Sequence, residues 1–245
     1  MPAVILSLGP LNLTLFGVFF SFGFLLASFV FFQKSHKEFA EEDQAIAFIV
    51  NLALGVLVGG RLFFFLSHPK NFPQWQDFFL IWRQGGLSLW GSIIGFILSV
   101  YFTSKKMKID PWRLSDFLIL PFFIMIFAFL LPNLIMTPSL ANLLLPLSAL
   151  ISLLVSLWLS SHYRSLIWYP SGKIGLASLA GLALFSFFYL LLAFSPFYVL
   201  YLWEAIISGI IIVSTLGIAY HRSGRELKKD FSWLIKNKKE KNEKK

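Results

Sequence analysis

Hydrophobic residues fall into seven long runs separated by short polar segments. The runs cover approximately residues 11–32, 45–67, 87–103, 114–136, 138–160, 173–194 and 198–220. A helix that crosses the hydrocarbon core of a bilayer needs roughly 20 mostly apolar residues, so each run is interpreted as one span within boundary error. Pro138 disfavours helix at Thr137 and therefore separates the fourth span from the fifth. The pattern predicts an all-α membrane protein of about seven transmembrane helices, forming one domain over residues 1–221.

The distribution of Lys and Arg predicts the orientation of these spans. With the N-terminus outside, the segments on the inner side hold 18 of the 21 basic residues, and the outer segments hold only Lys70 and Arg83. Basic residues accumulate on the cytoplasmic side of membrane proteins. We therefore expect an outward N-terminus and a cytoplasmic C-terminus. The remaining residues, 222–245, are predicted to form a basic, disordered cytoplasmic tail, which either attracts anionic lipid headgroups or only fixes the topology.

The composition supports a membrane location and excludes several kinds of chemistry. Charged residues make up 13% of the chain and hydrophobic residues 57%, whereas a soluble domain carries about 25% charged residues. The absence of cysteine excludes disulfides, thiolate metal sites and a cysteine nucleophile. No metal or cofactor is predicted. Because the net charge of +9 follows from the topology, nucleic acid is not an expected partner. The start of the chain lacks a positively charged region, so no cleaved signal peptide is expected.

The stretch from Gly59 to Gly95 contains the most informative polar residues. Arg61 follows a glycine pair at the end of an apolar run, and a second glycine pair, Gly85 and Gly86, precedes the third span. An ionisable residue at membrane depth is costly and points to a functional site. Glycine allows another backbone or a lipid headgroup to approach closely, because it has no Cβ.

Several segments of the chain resemble the bacterial prolipoprotein diacylglyceryl transferases. Gly59-Gly60-Arg61-Leu62 matches the GGR element of that family, and Trp82 to Gly95 is similar to its W-x-G-G-M-S-F-H-G-G-L-I-G loop. Ser115-Asp116-Phe117 matches an S-D-F segment. Further similarity lies in Ile5–Pro10, Thr137–Ser139 and Leu202–His221. Each element is weakly specific, but their order and spacing together are specific.

This resemblance implies a seven-span protein of the bacterial cytoplasmic (inner) membrane with an outward N-terminus. The family transfers the diacylglyceryl group of phosphatidylglycerol to the thiol of a lipoprotein cysteine. That reaction needs a pocket for acyl chains, cations that hold the phosphate, and a base that helps to form the thiolate. The implied partners are phosphatidylglycerol or another anionic phospholipid, and prolipoprotein signal peptides.

The chain departs from the family at the positions that would carry this chemistry. The loop histidine of the family falls at Trp90, and its signature G-R-x-G-N-F-x-N-G-E falls on residues 129–137, where only Asn133 is retained and Leu130 replaces the arginine. The sixth span, which carries an arginine and an acid in the family, reads Leu184–Leu190 without a charge. The tyrosine of the first span is replaced by Phe16. All these changes are from polar to apolar.

No catalytic residue can be assigned under this resemblance, but a headgroup site can. Arg61 is either a headgroup contact with bidentate geometry or a structural, snorkelling arginine. Asn133 either bonds a lipid ester or caps a broken helix, and the second glycine pair either shapes the headgroup site or forms a re-entrant turn. The predicted headgroup-binding residues are Arg61, Gly60, Gly85, Gly86, Ser88 and Asn133.

Three further features have mainly structural interpretations. The G-x-x-x-G spacings of Gly55/Gly59 and Gly91/Gly95 predict close helix packing. Glu204, at the start of the last span, is expected to pair with a neighbouring residue. Asp116 is expected in the first turn of the fourth span, where a carboxylate complements the helix dipole.

Three hypotheses about function remain open. The first is an active, divergent transferase in lipoprotein biogenesis. The second, which the chemistry favours, is a catalytically impaired relative that retains phospholipid or signal-peptide binding through Arg61. The third is a small lipid or solute transporter that shares the fold, which would need polar residues near the middle of the membrane.

Overall fold

A computed structural model describes residues 4–8, 11–35, 42–69, 86–193 and 202–225, and these residues form a helical bundle preceded by a short β-hairpin. The helices are α1 (Leu15–Ser35), α2 (Glu42–Ser67), α3 (Leu89–Met107), α4 (Pro111–Phe117), α5 (Ile119–Met136), α6 (Leu140–His162), α7 (Leu176–Ala193) and α8 (Leu202–Arg222). The prediction of a helical membrane domain is confirmed. The predicted tail lies outside the described residues from residue 226 onward.

The hairpin was not predicted from the sequence. Strands β1 (Val4–Leu8) and β2 (Leu11–Thr14) pair antiparallel, so the first four residues of the predicted span 11–32 are strand. Leucine alternates with a polar residue in Leu11–Thr14, which is the period of a strand rather than of a helix. The hydroxyl of Thr14 accepts a hydrogen bond from the Gly17 amide (3.1 Å), and α1 begins at Leu15.

The helices that follow overlap in position with the seven predicted runs, and the short helix α4 precedes α5 in the fourth of them. Five segments are long and apolar enough to cross a membrane: Leu15–Ser35, Asp43–Ser67, Ile119–Met136, Leu140–Ser165 and Leu202–Arg222. Three helices fall short of that description: α4 has only seven residues, α7 has an apolar stretch of 17 residues, Leu176–Leu192, and α3 ends in Lys105 and Lys106. The number of seven spans and their orientation therefore stay predictions.

The G-x-x-x-G spacings bring α2 and α3 into direct backbone contact, as predicted. A Cβ placed on Gly59 would lie 2.5 Å from the Gly91 carbonyl oxygen, and one on Gly95 would lie 2.1 Å from the Gly55 carbonyl oxygen. No side chain fits at these positions without moving a backbone. The close packing fixes the end of α2 that carries Arg61 against the start of α3, and we call this side of the bundle the Arg61 end.

Asp116 does complement a helix dipole, but not that of the fourth span. It lies in α4, before the membrane-spanning segment, and its carboxylate accepts hydrogen bonds from the amides of Gly175 (2.7 Å) and Ser178 (2.9 Å) at the start of α7. Burial raises the pKa of the Asp116 carboxyl above its ordinary value, and the two amide donors act against that shift. The side chain therefore joins α4 to α7.

The opposite end of the bundle from Arg61 is closed by the last turn of α8. The Arg222 guanidinium lies 4.3 Å from the ring centre of Trp112 in α4 and donates to the Ile174 carbonyl oxygen (2.6 Å). The Ser171 amide donates to the carbonyl of Ser223. Arg222 and Ser223, which the sequence assigned to the tail, are therefore packed against the bundle.

Candidate functional site

Arg61 lies inside the Arg61 end of the bundle and is 2% exposed. Its position six residues before the end of α2 places it about 9 Å along the axis from Ser67. The guanidinium Nη1 donates to the carbonyl oxygen of Gly86 at 3.2 Å. Gly86 has a φ of +147°, and a Cβ there would lie 2.4 Å from the Phe64 ring. Both the backbone conformation and the space require glycine.

Ser88 connects the segment before α3 to α2. Its amide donates to the Gly60 carbonyl at 2.9 Å, and its hydroxyl accepts from the Gly91 amide at 3.3 Å, so Ser88 is the N-cap of α3. Gly60 leaves room for a second hydroxyl, because a Cβ there would lie 2.3 Å from the Ser92 Oγ. The two glycines and two serines thus hold a rigid backbone frame around Arg61.

Four of the predicted headgroup residues come together in this frame: Arg61, Gly60, Gly86 and Ser88. Gly85 lies outside the described residues. Asn133 is exposed near the end of α5, where its backbone carbonyl accepts hydrogen bonds from the amide and hydroxyl of Thr137 (both 3.0 Å). The binding roles of these residues stay predictions.

Trp90 lies in the hydrophobic core. It is fully buried, its ring meets Tyr189 edge-on at 4.9 Å between centroids, and Phe185 lies at 6.3 Å. Leu130 belongs to the same cluster of buried residues. We call Trp90, Leu130, Phe185 and Tyr189 the substituted cluster. The resemblance places the family histidine at Trp90 and the signature arginine at Leu130, and Phe185 and Tyr189 lie in the sixth span, where the family has charged residues.

Two further residues at which the chain departs from the family pattern are in contact with each other. Phe16 stands at the tyrosine position of the first span, and Phe129 is the first residue of the substituted signature. Their rings pack edge-on with centroids 5.1 Å apart. Apolar residues at separate positions in the sequence therefore contact one another in the fold.

A few polar atoms remain beside the substituted cluster. The Tyr189 hydroxyl donates to the Glu204 carboxylate at 3.2 Å, which confirms the prediction that Glu204 is paired. The indole nitrogens of Trp90 and Trp203 are buried and have no hydrogen-bond partner among the residues that the structure describes. An indole nitrogen only donates, so neither tryptophan can accept a proton.

An elongated apolar cavity of about 100 Å³, partly open at the surface of the bundle, lies beside the frame. It is lined by α1, α2, α3 and the α4–α5 segment, and aromatic rings from Phe20, Phe24, Phe96, Phe122 and Phe129 form much of its wall. Ser28 and Ser92 supply the hydroxyl groups of the lining. The resemblance implied a lipid-accessible cavity, but the sequence did not indicate which residues line it, because its wall combines residues from distant runs that each resemble an ordinary span.

A further polar residue near Arg61 is His68, which directly follows α2. The ring of His68 stacks on Phe64 with centroids 4.8 Å apart, and Phe64 contacts Gly86. The His68 amide donates to the Phe64 carbonyl (3.0 Å) and so continues the helical turn; seven residues after Arg61, its side chain lies on the same side as that of Arg61. Over the described ranges, no group of three or more His, Cys, Asp or Glu residues is arranged to hold a metal ion.

The fold and the site together define a multi-pass α-helical membrane protein with an apolar cavity between its helices and a buried arginine. A family model described as prolipoprotein diacylglyceryl transferase matches residues 3–136. That match covers more than half of the chain, and the chain belongs to this family. It is accordingly a bacterial inner-membrane protein.

Curated relatives carry the name phosphatidylglycerol–prolipoprotein diacylglyceryl transferase. The chain is 31% identical to the protein from Pasteurella multocida over 126 residues and 30% identical to that from Mannheimia succiniciproducens over 130 residues. Each alignment covers 49% of this chain and 46% of the relative. A more distant relative from Oceanobacillus iheyensis is 25% identical over 116 residues.

The chain thus aligns with about half the length of these relatives. The family match ends at Met136, so the similarity seen in Thr137–Ser139 and Leu202–His221 lies beyond it and stays a prediction.

Proposed function

We propose that this protein binds an anionic phospholipid such as phosphatidylglycerol at the Arg61 end and does not transfer its diacylglyceryl group. In this proposal the protein is a pseudoenzyme of the transferase family. Phospholipid is the ligand in this proposal, and signal-peptide binding stays a separate expectation.

The substituted cluster is the observation that carries the proposal. A transferase must help a thiol to lose its proton and must stabilise a departing phosphate. Trp90, Leu130 and Phe185 supply neither a base nor a cation, and they belong to one cluster of buried hydrophobic residues with almost no exposure. Introducing a charge into such a cluster is strongly unfavourable unless it is paired. The positions are therefore suited to packing and unsuited to the reaction.

The frame and the cavity support retained lipid binding. Arg61 is a cation held in place by a backbone carbonyl, and arginine matches the geometry of a phosphate. The adjoining cavity has an almost entirely apolar lining, which suits a hydrocarbon chain. A solute transporter would need polar groups along a path through the bundle, and this lining offers only two hydroxyls. A lipid therefore fits better than a polar solute.

Lipid binding can be measured by native mass spectrometry of the purified protein with phosphatidylglycerol and with phosphatidylcholine. We expect preferential retention of phosphatidylglycerol, and we expect Arg61→Ala to remove that preference. Arg164→Ala is the matched control, because Arg164 is exposed beyond α6. Equal binding of both lipids by the unmodified protein would contradict the headgroup site.

One observation supports an active transferase as a second candidate. His68 lies on the same side as Arg61, directly after the end of α2, and it could serve as a base displaced from the position of Trp90. Its Nδ1 lies 3.1 Å from the Ser67 hydroxyl, which orients the ring. Imidazole is a suitable general base near neutral pH.

The second candidate makes a distinct prediction. Incubation with phosphatidylglycerol and a lipobox peptide would then add a diacylglyceryl mass to the peptide. His68→Gln would abolish the product, whereas His162→Gln, at the exposed end of α6, would leave it unchanged. Absence of product with the unmodified protein eliminates this candidate.

A further inference from the structure

Two large apolar side chains project from the loop between α6 and α7. Ile167 is 95% exposed and Trp168 is 46% exposed. They occupy the tip of a tight turn over residues 166–169, which is closed by the hydrogen bond from the Tyr169 amide to the Leu166 carbonyl (3.0 Å). We call this segment the apolar turn. Turn positions usually carry Gly, Pro, Asn, Asp or Ser, and exposing large apolar side chains to water is unfavourable, so an apolar environment is expected to cover this tip.

The backbone of the apolar turn is held firmly against the bundle. Tyr169 is 1% exposed, belongs to a cluster of buried residues on α7 and α8, and donates its hydroxyl to the Lys173 carbonyl (3.1 Å). The Ser171 amide donates to the Ser223 carbonyl (3.2 Å), which joins the loop to the end of α8. The exposure of the tip is therefore a property of a fixed turn rather than of a loosely attached loop.

The length of α6 places the apolar turn at the edge of the bilayer. The helix has 23 residues and is thus about 34 Å long, whereas the hydrocarbon core is about 30 Å thick. A turn that starts one helical turn beyond its end lies at the level of the lipid headgroups. An exposed aromatic residue, Trp158, lies one turn before the same end of α6. Because Trp is enriched at membrane–water interfaces, Trp158 and Trp168 both fit this level.

The exposed charges on the described residues of this loop and of the α8 end are positive. Arg164, Lys173 and Arg225 are exposed, and the sequence contains no Asp or Glu between Asp116 and Glu204. The Asp116 carboxylate already accepts hydrogen bonds from two amides at the start of α7. Lys and Arg rest their apolar stems on apolar surface and keep their charge at its polar boundary. This charge distribution suits phosphate, which all phospholipid headgroups share.

We propose that the apolar turn inserts Ile167 and Trp168 into the interfacial layer of the bilayer, with Lys173 and Arg225 at the level of the lipid phosphates. The turn would fix the depth at which the adjoining ends of α6, α7 and α8 sit in the membrane. A protein partner is the other occupant of an exposed apolar tip, and the membrane is favoured because the turn directly follows a spanning helix and is flanked by cations. The inference goes beyond the proposed lipid-binding function, since the turn lies at the opposite end of the bundle from Arg61.

The depth of the tip can be measured with a single fluorescent label. Because the chain contains no cysteine, Ile167→Cys can carry the environment-sensitive fluorophore NBD without background labelling. Lys173→Cys, in the same loop, is the control for the polar level, and Ile151→Cys, on the exposed face of α6, is the control for the hydrocarbon. Each full-length variant is reconstituted in phosphatidylcholine nanodiscs. We expect the label at 167 to emit at a shorter wavelength than the label at 173.

Quenching then identifies what surrounds the label. We expect a nitroxide lipid labelled near its headgroup to quench the fluorescence at 167 more strongly than a lipid labelled at the chain end, with the reverse order at 151. Aqueous iodide should quench the label at 173 and spare the label at 167. If iodide quenches both equally and neither nitroxide lipid quenches the label at 167, the tip faces water and the inference is overturned in favour of a protein-docking surface.

This experiment can fail separately from the proposed function. Arg61→Ala, combined with Ile167→Cys, should leave the depth of the label unchanged, and so should replacement of phosphatidylcholine by phosphatidylglycerol. A label that reaches the interface only in phosphatidylglycerol, or only with Arg61 present, would overturn the assignment of the turn as an independent membrane contact. Loss of phosphatidylglycerol preference together with an inserted tip would refute the headgroup site alone.

Discussion

Trp90 illustrates how a polar position becomes part of a core. Its indole ring packs against Phe185 and Tyr189, which lie in the span where the resemblance places charged residues. Restoring one polar residue would therefore place it among apolar neighbours rather than in a working site. The substituted residues depend on one another, and this dependence can be tested one residue at a time.

We predict that Trp90→His destabilises the protein without creating transferase activity. The smaller imidazole would leave a void and bury a polar group, at a cost of about 3–5 kcal/mol in the free energy of unfolding. Thermal denaturation in detergent would show a lowered midpoint. Trp158→His is the control, because Trp158 is largely exposed and should tolerate the change. A gain of peptide lipidation in Trp90→His would contradict the account of the cluster.

For Ser92 we predict that a substitution does not lower the stability of the protein, in contrast to Trp90. Because its hydroxyl has no partner in the described structure, Ser92→Ala in the lipid-free protein should leave the denaturation midpoint unchanged or raise it. Ser152→Ala should instead lower stability by about 1 kcal/mol, because the Ser152 hydroxyl donates to the Ser148 carbonyl at 2.7 Å. Equal losses in both variants would show that Ser92 is already bonded.

At the scale of elements, α2 and α3 form a pair that glycine holds together. The approach of the two backbones aligns Arg61 with Gly86 and Ser88, so the geometry of the candidate site depends on residues that never contact a ligand. The link between α4 and α7 through Asp116 has a similar function at the other end. Both contacts join elements that are separate in the sequence, and each can be weakened by a single substitution.

Gly59→Ala should separate the α2–α3 pair. The added methyl group would lie 2.5 Å from the Gly91 carbonyl oxygen, and the resulting strain should cost about 1–3 kcal/mol. Gly209→Ala in α8 is the matched control, because a Cβ there meets no atom within 4 Å. Thermal denaturation of the two variants, measured side by side, checks this prediction. A control variant as unstable as Gly59→Ala would argue against specific packing.

Asp116→Ala should remove the cap on α7. Two backbone amides at the start of α7 would lose the carboxylate that accepts their hydrogen bonds, which is expected to lower the free energy of unfolding by about 0.5–2 kcal/mol. Asp110→Ala provides the comparison, since the Asp110 carboxylate accepts only the exposed Trp112 amide of its own short helix (3.1 Å). The denaturation midpoint should fall further for Asp116→Ala. The reverse order would mean that the α4–α7 link contributes little.

At the scale of the whole molecule, the sequence predicts the helices better than it predicts the site. Apolar runs reveal spans because the bilayer requires them, and G-x-x-x-G spacing correctly indicated a close helix pair. The cavity and the capping of α7 by Asp116 depend on which distant segments meet, and local patterns do not contain that information. The same holds for the substituted cluster, since Trp90, Leu130 and Phe185 are recognisable as a group only in three dimensions.

The proposed function separates lipid binding from lipid transfer. Under this proposal the Arg61 frame and the cavity would bind the lipid, and the substituted cluster occupies the positions that the resemblance associates with chemistry. The two functions can therefore be measured independently on one preparation. Retained binding without transfer is the combination that this arrangement favours.

A transfer assay tests the central claim most directly. The purified protein, reconstituted with phosphatidylglycerol, is incubated with a lipobox peptide, and the peptide mass is followed over time. The transferase of Pasteurella multocida, assayed in parallel, is the reference. We predict that the peptide mass stays unchanged with this protein while phosphatidylglycerol remains bound in an Arg61-dependent manner. Conversion of the peptide to its diacylglyceryl form at a rate comparable to the reference would contradict the account.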